Sequence, residues 1–128
     1  MDARPLPAVL YHCAPADRLD GIMAEEFGLV PGMEPNHEDS DPELVYLCQD
    51  PALTWRWVAG AAVVLAIDTV RLKAERFGED RILKHFPGGE LHWTYRGRIP
   101  PDALSVHEHG QGRGRAPEMD RDDEDCEP

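Results

Sequence analysis

The sequence predicts an α+β fold. Short β-prone runs alternate irregularly with short helical patterns over residues 5 to 106, and no stretch is long enough for a chain of helical crossovers. The 12 prolines and 11 glycines among 128 residues call for many turns. Strands and helices in mixed order argue for α+β packing and against a doubly wound parallel sheet.

Val9 to Cys13 is the first β-prone run. Asp17 follows as a helix cap, since its carboxylate can accept bonds from the free N–H groups of a first turn. Arg18 to Phe27 then carries Leu19, Ile22, Met23 and Phe27 at helical spacing, and Gly28 ends that pattern. Residues 31 to 43 form a polar loop dense in proline and acid. Leu44 to Cys48 is a second strand. Asp50, with Pro51 at the first helical position, opens a second helix reaching Trp57 or Val58. Ala61 to Asp68 is apolar on both faces, as an interior strand is. Thr69 to Phe77 is a short helix or an irregular connection, and Pro87 to Gly89 a turn. Glu90 to Tyr95 is a further strand, and Ile99 to Val106 leads through Pro100 and Pro101 into a last short one.

Composition changes near residue 107. From His107 to Pro128 the one large apolar residue is Met119, and eight acids against three bases carry about −5 of the net charge of −12. So little apolar surface does not repay the entropy of ordering. The expected organisation is a folded domain over 1–106 and a disordered acidic tail over 107–128, able to solubilise the chain or to dock on a basic partner. The acidic balance disfavours general coating of nucleic acid, which draws on clustered lysine and arginine. Cys13, Cys48 and Cys126 have no CxxC spacing, so neither a disulfide framework nor a zinc ribbon is expected and a reducing cytoplasm fits. The most apolar stretch, Trp57 to Ile67, is too short to span a hydrocarbon layer of ~30 Å as a helix. Nucleotide-binding glycine loops, GxSxG, HExxH and CxxC are all absent, and no metal site is expected.

Three strand segments hold the candidate chemistry. In the first, alternation pairs Val9 with Tyr11 on one face and Leu10 with His12 on the other. In the second, Val45 and Leu47 face the core, while Tyr46 and Cys48 face away, where a tyrosine ring can stack on a planar ligand. In the third, Leu91, Trp93 and Tyr95 share one face, and Glu90, His92 and Thr94 form a polar, titratable row on the other. A carboxylate and an imidazole two residues apart suit the polarising of a hydroxyl or the holding of a proton. Each pattern also describes ordinary core and surface.

Taken in order, the three segments resemble the ADP-ribosyltransferase-like superfamily, which includes ADP-ribosyl transferases and RNA 2′-phosphotransferases. LYHCAP with LDGIMAEEFGLVPG resembles the family's early strand and helix, VYLCQDPAL its second strand and following helix, and WTYRGRIPPDAL its late strand and Ile-Pro exit. The likeness spans roughly residues 8 to 106 and implies a small mixed, split β-sheet with short flanking helices. It also implies NAD as co-substrate, with ADP-ribose transferred to a protein or nucleic-acid acceptor and nicotinamide released. His12 matches the position that orients a ribose, and Tyr46 the one that stacks on nicotinamide. The expected glutamate position falls on His92, with Glu90 two residues earlier. Glu90 then serves as the acid, or the chain belongs with the RNA 2′-phosphotransferase branch, or it binds without catalysis, as an acidic interaction or inhibitor protein would. Arg56, Arg96 and Arg98 are the basic residues expected beside the cofactor, guanidinium being well shaped for pyrophosphate.

Overall fold

A computed structural model describes residues 5–24, 28–31, 43–80 and 89–113. Its strands are β1 (Val9–Pro15), β2 (Leu44–Cys48), β3 (Ala59–Asp68), β4 (Phe77–Glu79), β5 (His92–Arg96) and β6 (Leu104–Arg113), with two short α-helices, α1 (Leu19–Ile22) and α2 (Pro51–Thr54). The six strands form one sheet in the order β4-β5-β2-β1-β3-β6. The α+β class with a small sheet and short flanking helices is as expected, and among the described residues every strand pairing is antiparallel, so neighbouring strands alternate in direction.

The sheet is amphipathic in a way the alternation dictates. Leu10, Ala14, Val45, Leu47, Val63, Leu65, Ile67, Trp93 and Tyr95 pack on one face as the main core, joined by Ile22, Leu29 and Ile99. The other face carries a smaller cluster of Cys13, Ala62 and Val64 under Trp55 and Val58, with Tyr11 against it. β3 is buried from Ala62 to Leu65 because β1 and β6 flank it and both faces are covered.

Local chemistry sets the ends of the elements. The Asp50 carboxylate accepts the Ala52 N–H at 2.9 Å and Pro51 takes the first helical position, so α2 starts where the sequence says. It continues as a 3-10 turn, Trp55–Trp57. The first helical segment differs from expectation. Asp17 sits inside a 3-10 turn, Ala16–Arg18, and makes no side-chain cap. The helix that follows covers Leu19–Ile22, and residues 25 to 27 lie outside the described residues. Thr69–Arg71 and Ala74–Arg76 are 3-10 turns, which resolves the connection after β3. Gly28 adopts φ +75°, and a Cβ there would stand 2.0 Å from the Ile99 carbonyl oxygen. Only glycine lets Leu29 and Ile99 exchange their two backbone bonds, each 2.9 Å, which tie this segment to the exit from β5.

Two boundaries are corrected. Residues 107 to 113 belong to β6, alongside β3, and are not part of a tail. An edge strand needs no apolar composition on its wet side, so composition alone reads it as unstructured. β5 begins at His92, not Glu90, which lies in the 3-10 turn Gly89–Leu91. In the β2–β5 register Glu90 would oppose Asp50, but Asp50 has already turned to cap α2, leaving no strand to pair with. The loop at 32–42, the turn residues 87 and 88, and residues 114–128 with Cys126 lie outside the described residues. Among those described, no helix is long and apolar enough to cross a membrane.

Candidate functional site

The three segments singled out by the sequence fall on β1, β2 and β5, which are neighbours in the sheet. β1 is aligned with β3 along its whole length, but with β2 through a single pair, Tyr11 and Cys48. The next step of that ladder would bring Cys13 opposite Tyr46. There the Tyr46 carbonyl bonds instead to the His12 ring, with Nδ1 at 2.9 Å. The sheet thus has a seam between β1 and β2, and an imidazole spans it.

The chemistry of this bond assigns the state of His12. A carbonyl oxygen only accepts, so Nδ1 carries the proton. Burial holds the ring's pKa below its usual value, against a smaller upward pull from the bond to Tyr46. The ring is therefore neutral near pH 7, and Nε2 keeps its lone pair. His12 is 9% exposed, lies between Leu10 and Ala14, and aligns with Leu65, on the side of the main core.

The Tyr46 side chain lies on the opposite face, half-buried, aligned with Thr94 on β5. His12 and Tyr46 are thus joined through the tyrosine's backbone, with their side chains on different faces. Next along that face His92 aligns with Cys48. The His92 ring meets Trp57 edge-on, with centroids 6.4 Å apart and an interplanar angle of 78°. The Arg56 guanidinium lies over the Trp57 ring at 5.0 Å from its centroid. Arg96 closes β5 on the same face and pairs with the Glu43 carboxylate. The face therefore brings together Tyr46, His92 and Arg96, with Arg56 reaching His92 through Trp57. Glu90 is exposed in its 3-10 turn and leaves the polar row. Arg98 is exposed beyond Gly97, whose φ is +116°.

A cysteine aligned with a histidine suggests a thiol nucleophile, but the environment argues otherwise. Burial pushes the Cys48 thiol up, and its Sγ accepts the Asp50 N–H at 3.4 Å. Cys13 is pushed up to about 11, again by burial, against a smaller downward pull from Thr54. Both are buried free thiols and stay protonated at neutral pH. Among the described residues no group of three or more His, Cys, Asp or Glu could hold a metal ion.

Trp57 is the member of this face that sequence reasoning missed. It stands at the end of a helical pattern, and nothing in a linear reading points it at His92. The extra coil after α2 turns it there, because Trp55–Trp57 is a tighter 3-10 turn. The fold and face together define a small antiparallel α+β sheet protein in which one sheet face, beside a seam, carries Tyr46 and a buried His92 packed against Trp57. No protein-family model matches the chain, and no curated protein matches it.

Proposed function

We propose that the chain is an NAD-dependent ADP-ribosyltransferase-like protein that transfers ADP-ribose to a macromolecular acceptor and releases nicotinamide. The observation that carries this reading is the seam. Two strands resembling the family's first two motifs run side by side, and a neutral His12 bridges them through the Tyr46 carbonyl. In this reading Tyr46 stacks on the nicotinamide ring, and His12 positions it from the opposite face of the sheet by holding its carbonyl. Arg56 and Arg96 supply positive charge to the pyrophosphate, with Arg98 beyond the turn. The C1′–N bond breaks with its electron pair leaving on nicotinamide, and the acceptor's nucleophile forms the new bond to C1′. Glu90, carried on the exposed 3-10 turn that leads into His92, polarises the reacting hydroxyl as positive charge develops on the sugar. The two buried free thiols support a cytoplasmic setting.

Calorimetric titration of NAD into the wild type and into Tyr46→Ala tests the pocket, with nicotinamide release followed on the same samples. Binding lost in Tyr46→Ala supports it, and release lost in Glu90→Gln supports catalysis. No heat of binding at millimolar NAD would overturn the reading.

A further inference from the structure

The two edges of the sheet differ. β4 is three residues long, whereas β6 runs for ten, and its residues from Ser105 to Gln111 are all exposed. We propose that the outer edge of β6 pairs antiparallel with β6 of a second copy of this chain, about a two-fold axis at Gly110. This does not depend on the NAD reading.

The hydrogen-bond phase of the sheet says which groups face outward. The Thr69 N–H donates to the Ala8 carbonyl at 3.1 Å, one step beyond the Val9–Asp68 pair. Odd-numbered residues of β3 therefore bond β1, and even-numbered ones face β6. Their partners on β6 are Glu108, Gly110 and Gly112, aligned with Val64, Ala62 and Gly60. The amides and carbonyls of His109 and Gln111 accordingly point away from β3. Among the described residues no backbone bond reaches them from another segment. Towards its start β6 is interrupted at His107, the extra residue where the register shifts between Val64 and Leu65, and that ring turns onto Tyr11 at 4.9 Å. The regular edge is therefore the stretch from Glu108 onward.

This edge is self-complementary. Two-fold antiparallel pairing requires that aligned residues both direct their backbone groups outward. With the axis at Gly110, His109 aligns with Gln111 of the partner subunit, and the symmetry repeats the match. Imidazole then lies beside carboxamide twice, each able to donate and accept. Gly110 leaves the axis free of side chains, and its other face is already closed by Trp55, whose ring a Cβ would meet at 2.8 Å. Charge does not oppose the contact locally. In a chain of net charge −12, β6 holds one acid, Glu108, and one arginine, Arg113. Edge strands that avoid pairing carry lysine, proline, inward charge or a bulge; β6 has no lysine or proline, and its bulge at His107 lies before the stretch from Glu108 onward. The short β4 cannot seat a full strand, so association closes at two copies instead of running on as a fibre.

Sedimentation velocity on the full chain tests this, using Gln111→Pro and Gln111→Ala. Proline deletes an outward N–H that the fold does not use, and edge strands tolerate it. The wild type is expected to dimerise with a midpoint of about 10–100 µM, as a small interface does. Gln111→Ala keeps the N–H and should stay within about threefold of that midpoint. Gln111→Pro should be monomeric with a Tm within about 2 °C of the wild type. A wild type that is still monomeric at about 1 mM overturns the proposal, as does a Gln111→Pro dimer of unchanged affinity. A large fall in Tm for Gln111→Pro also overturns it, because the amide would then be bonded within its own chain.

Discussion

His12 Nδ1 lies 2.9 Å from the Tyr46 carbonyl, where the β1–β2 ladder would otherwise continue backbone to backbone. A side chain thus takes the place of a main-chain donor between two neighbouring strands. The first consequence is energetic. His12→Ala removes the imidazole donor at the Tyr46 carbonyl and leaves a gap beside Leu65. A lost hydrogen bond costs about 0.5–1.5 kcal/mol, and lost packing adds to it. Urea denaturation should show a lower midpoint by at least that margin. His12→Asn, whose amide can donate over part of the same distance, should recover some of it.

The same bond sets a pH dependence. In the unfolded chain His12 titrates at the ordinary histidine value of 6.5, and in the fold it titrates below that, since burial outweighs the bond to Tyr46. As pH falls, the unfolded chain takes up the proton first. The stability His12 contributes is therefore full above pH 6.5 and is lost as pH falls from there through the folded pKa. Denaturation midpoints measured down this range should decline more steeply in the wild type than in His12→Asn. Equal slopes would mean that His12 binds its proton equally well in the folded and the unfolded chain.

The thiols give an independent check on the other face. Cys13 and Cys48 are buried, and burial raises both. Neither should react with a thiol reagent in the native protein at about pH 7.5, and denaturant should release two further reactive thiols. On the alkaline side the sign is opposite to that for His12. Cys13 ionises near 9.0 when unfolded but at about 11 in the fold. Its contribution is present below pH 9 and is lost as pH rises towards 11. Cys13→Ala should remove that part of the alkaline decline.

How far the sequence reaches can be judged from particular residues. Leu44–Cys48 is a strand with the bounds that its β-prone run implies, and the alternation correctly separates Leu47, Trp93 and Tyr95 from Tyr46, His92 and Thr94. Those features depend on one strand's own period. Glu90 was beyond reach because its strand depends on a partner, and Asp50 leaves the ladder to cap α2. Residues 107–113 were hidden for a related reason: an outer strand bonded through its backbone to β3 needs no apolar signature. The His12–Tyr46 bond depends on the β1–β2 register, which no residue pattern encodes. Trp57 depends on the twist of a single 3-10 turn.

Helix entry offers a smaller, cleaner test. The Asp50 carboxylate holds the Ala52 N–H at 2.9 Å, and its own N–H reaches the Cys48 sulfur. Asp50→Ala removes the cap and should cost about 0.5–2 kcal/mol. Asp50→Asn keeps the acceptor oxygen and should cost less. Because α2 leads directly into Trp55 and Trp57, the loss should also appear as a change in tryptophan fluorescence before global unfolding. Fluorescence and circular dichroism midpoints that stay coincident in Asp50→Ala would show that the cap does not govern this face separately.

Two glycines should respond in opposite ways to the same substitution. Gly28 combines a φ of +75° with a Cβ position only 2.0 Å from the Ile99 oxygen, a backbone atom that cannot swing aside. Gly28→Ala must therefore break the mutual bonds of Leu29 and Ile99 as well as strain its own backbone, the latter alone costing about 1–2 kcal/mol. Gly78 lies in β4 beside Thr94, and a Cβ there meets the threonine Oγ1 at 3.5 Å, an ordinary contact. Gly78→Ala should be neutral or slightly stabilising, because alanine loses less backbone entropy on folding than glycine does. Thermal melts of the two variants should differ by several degrees, with Gly28→Ala the lower. A Gly28→Ala protein melting with the wild type would contradict the close approach of this segment to the β5 exit.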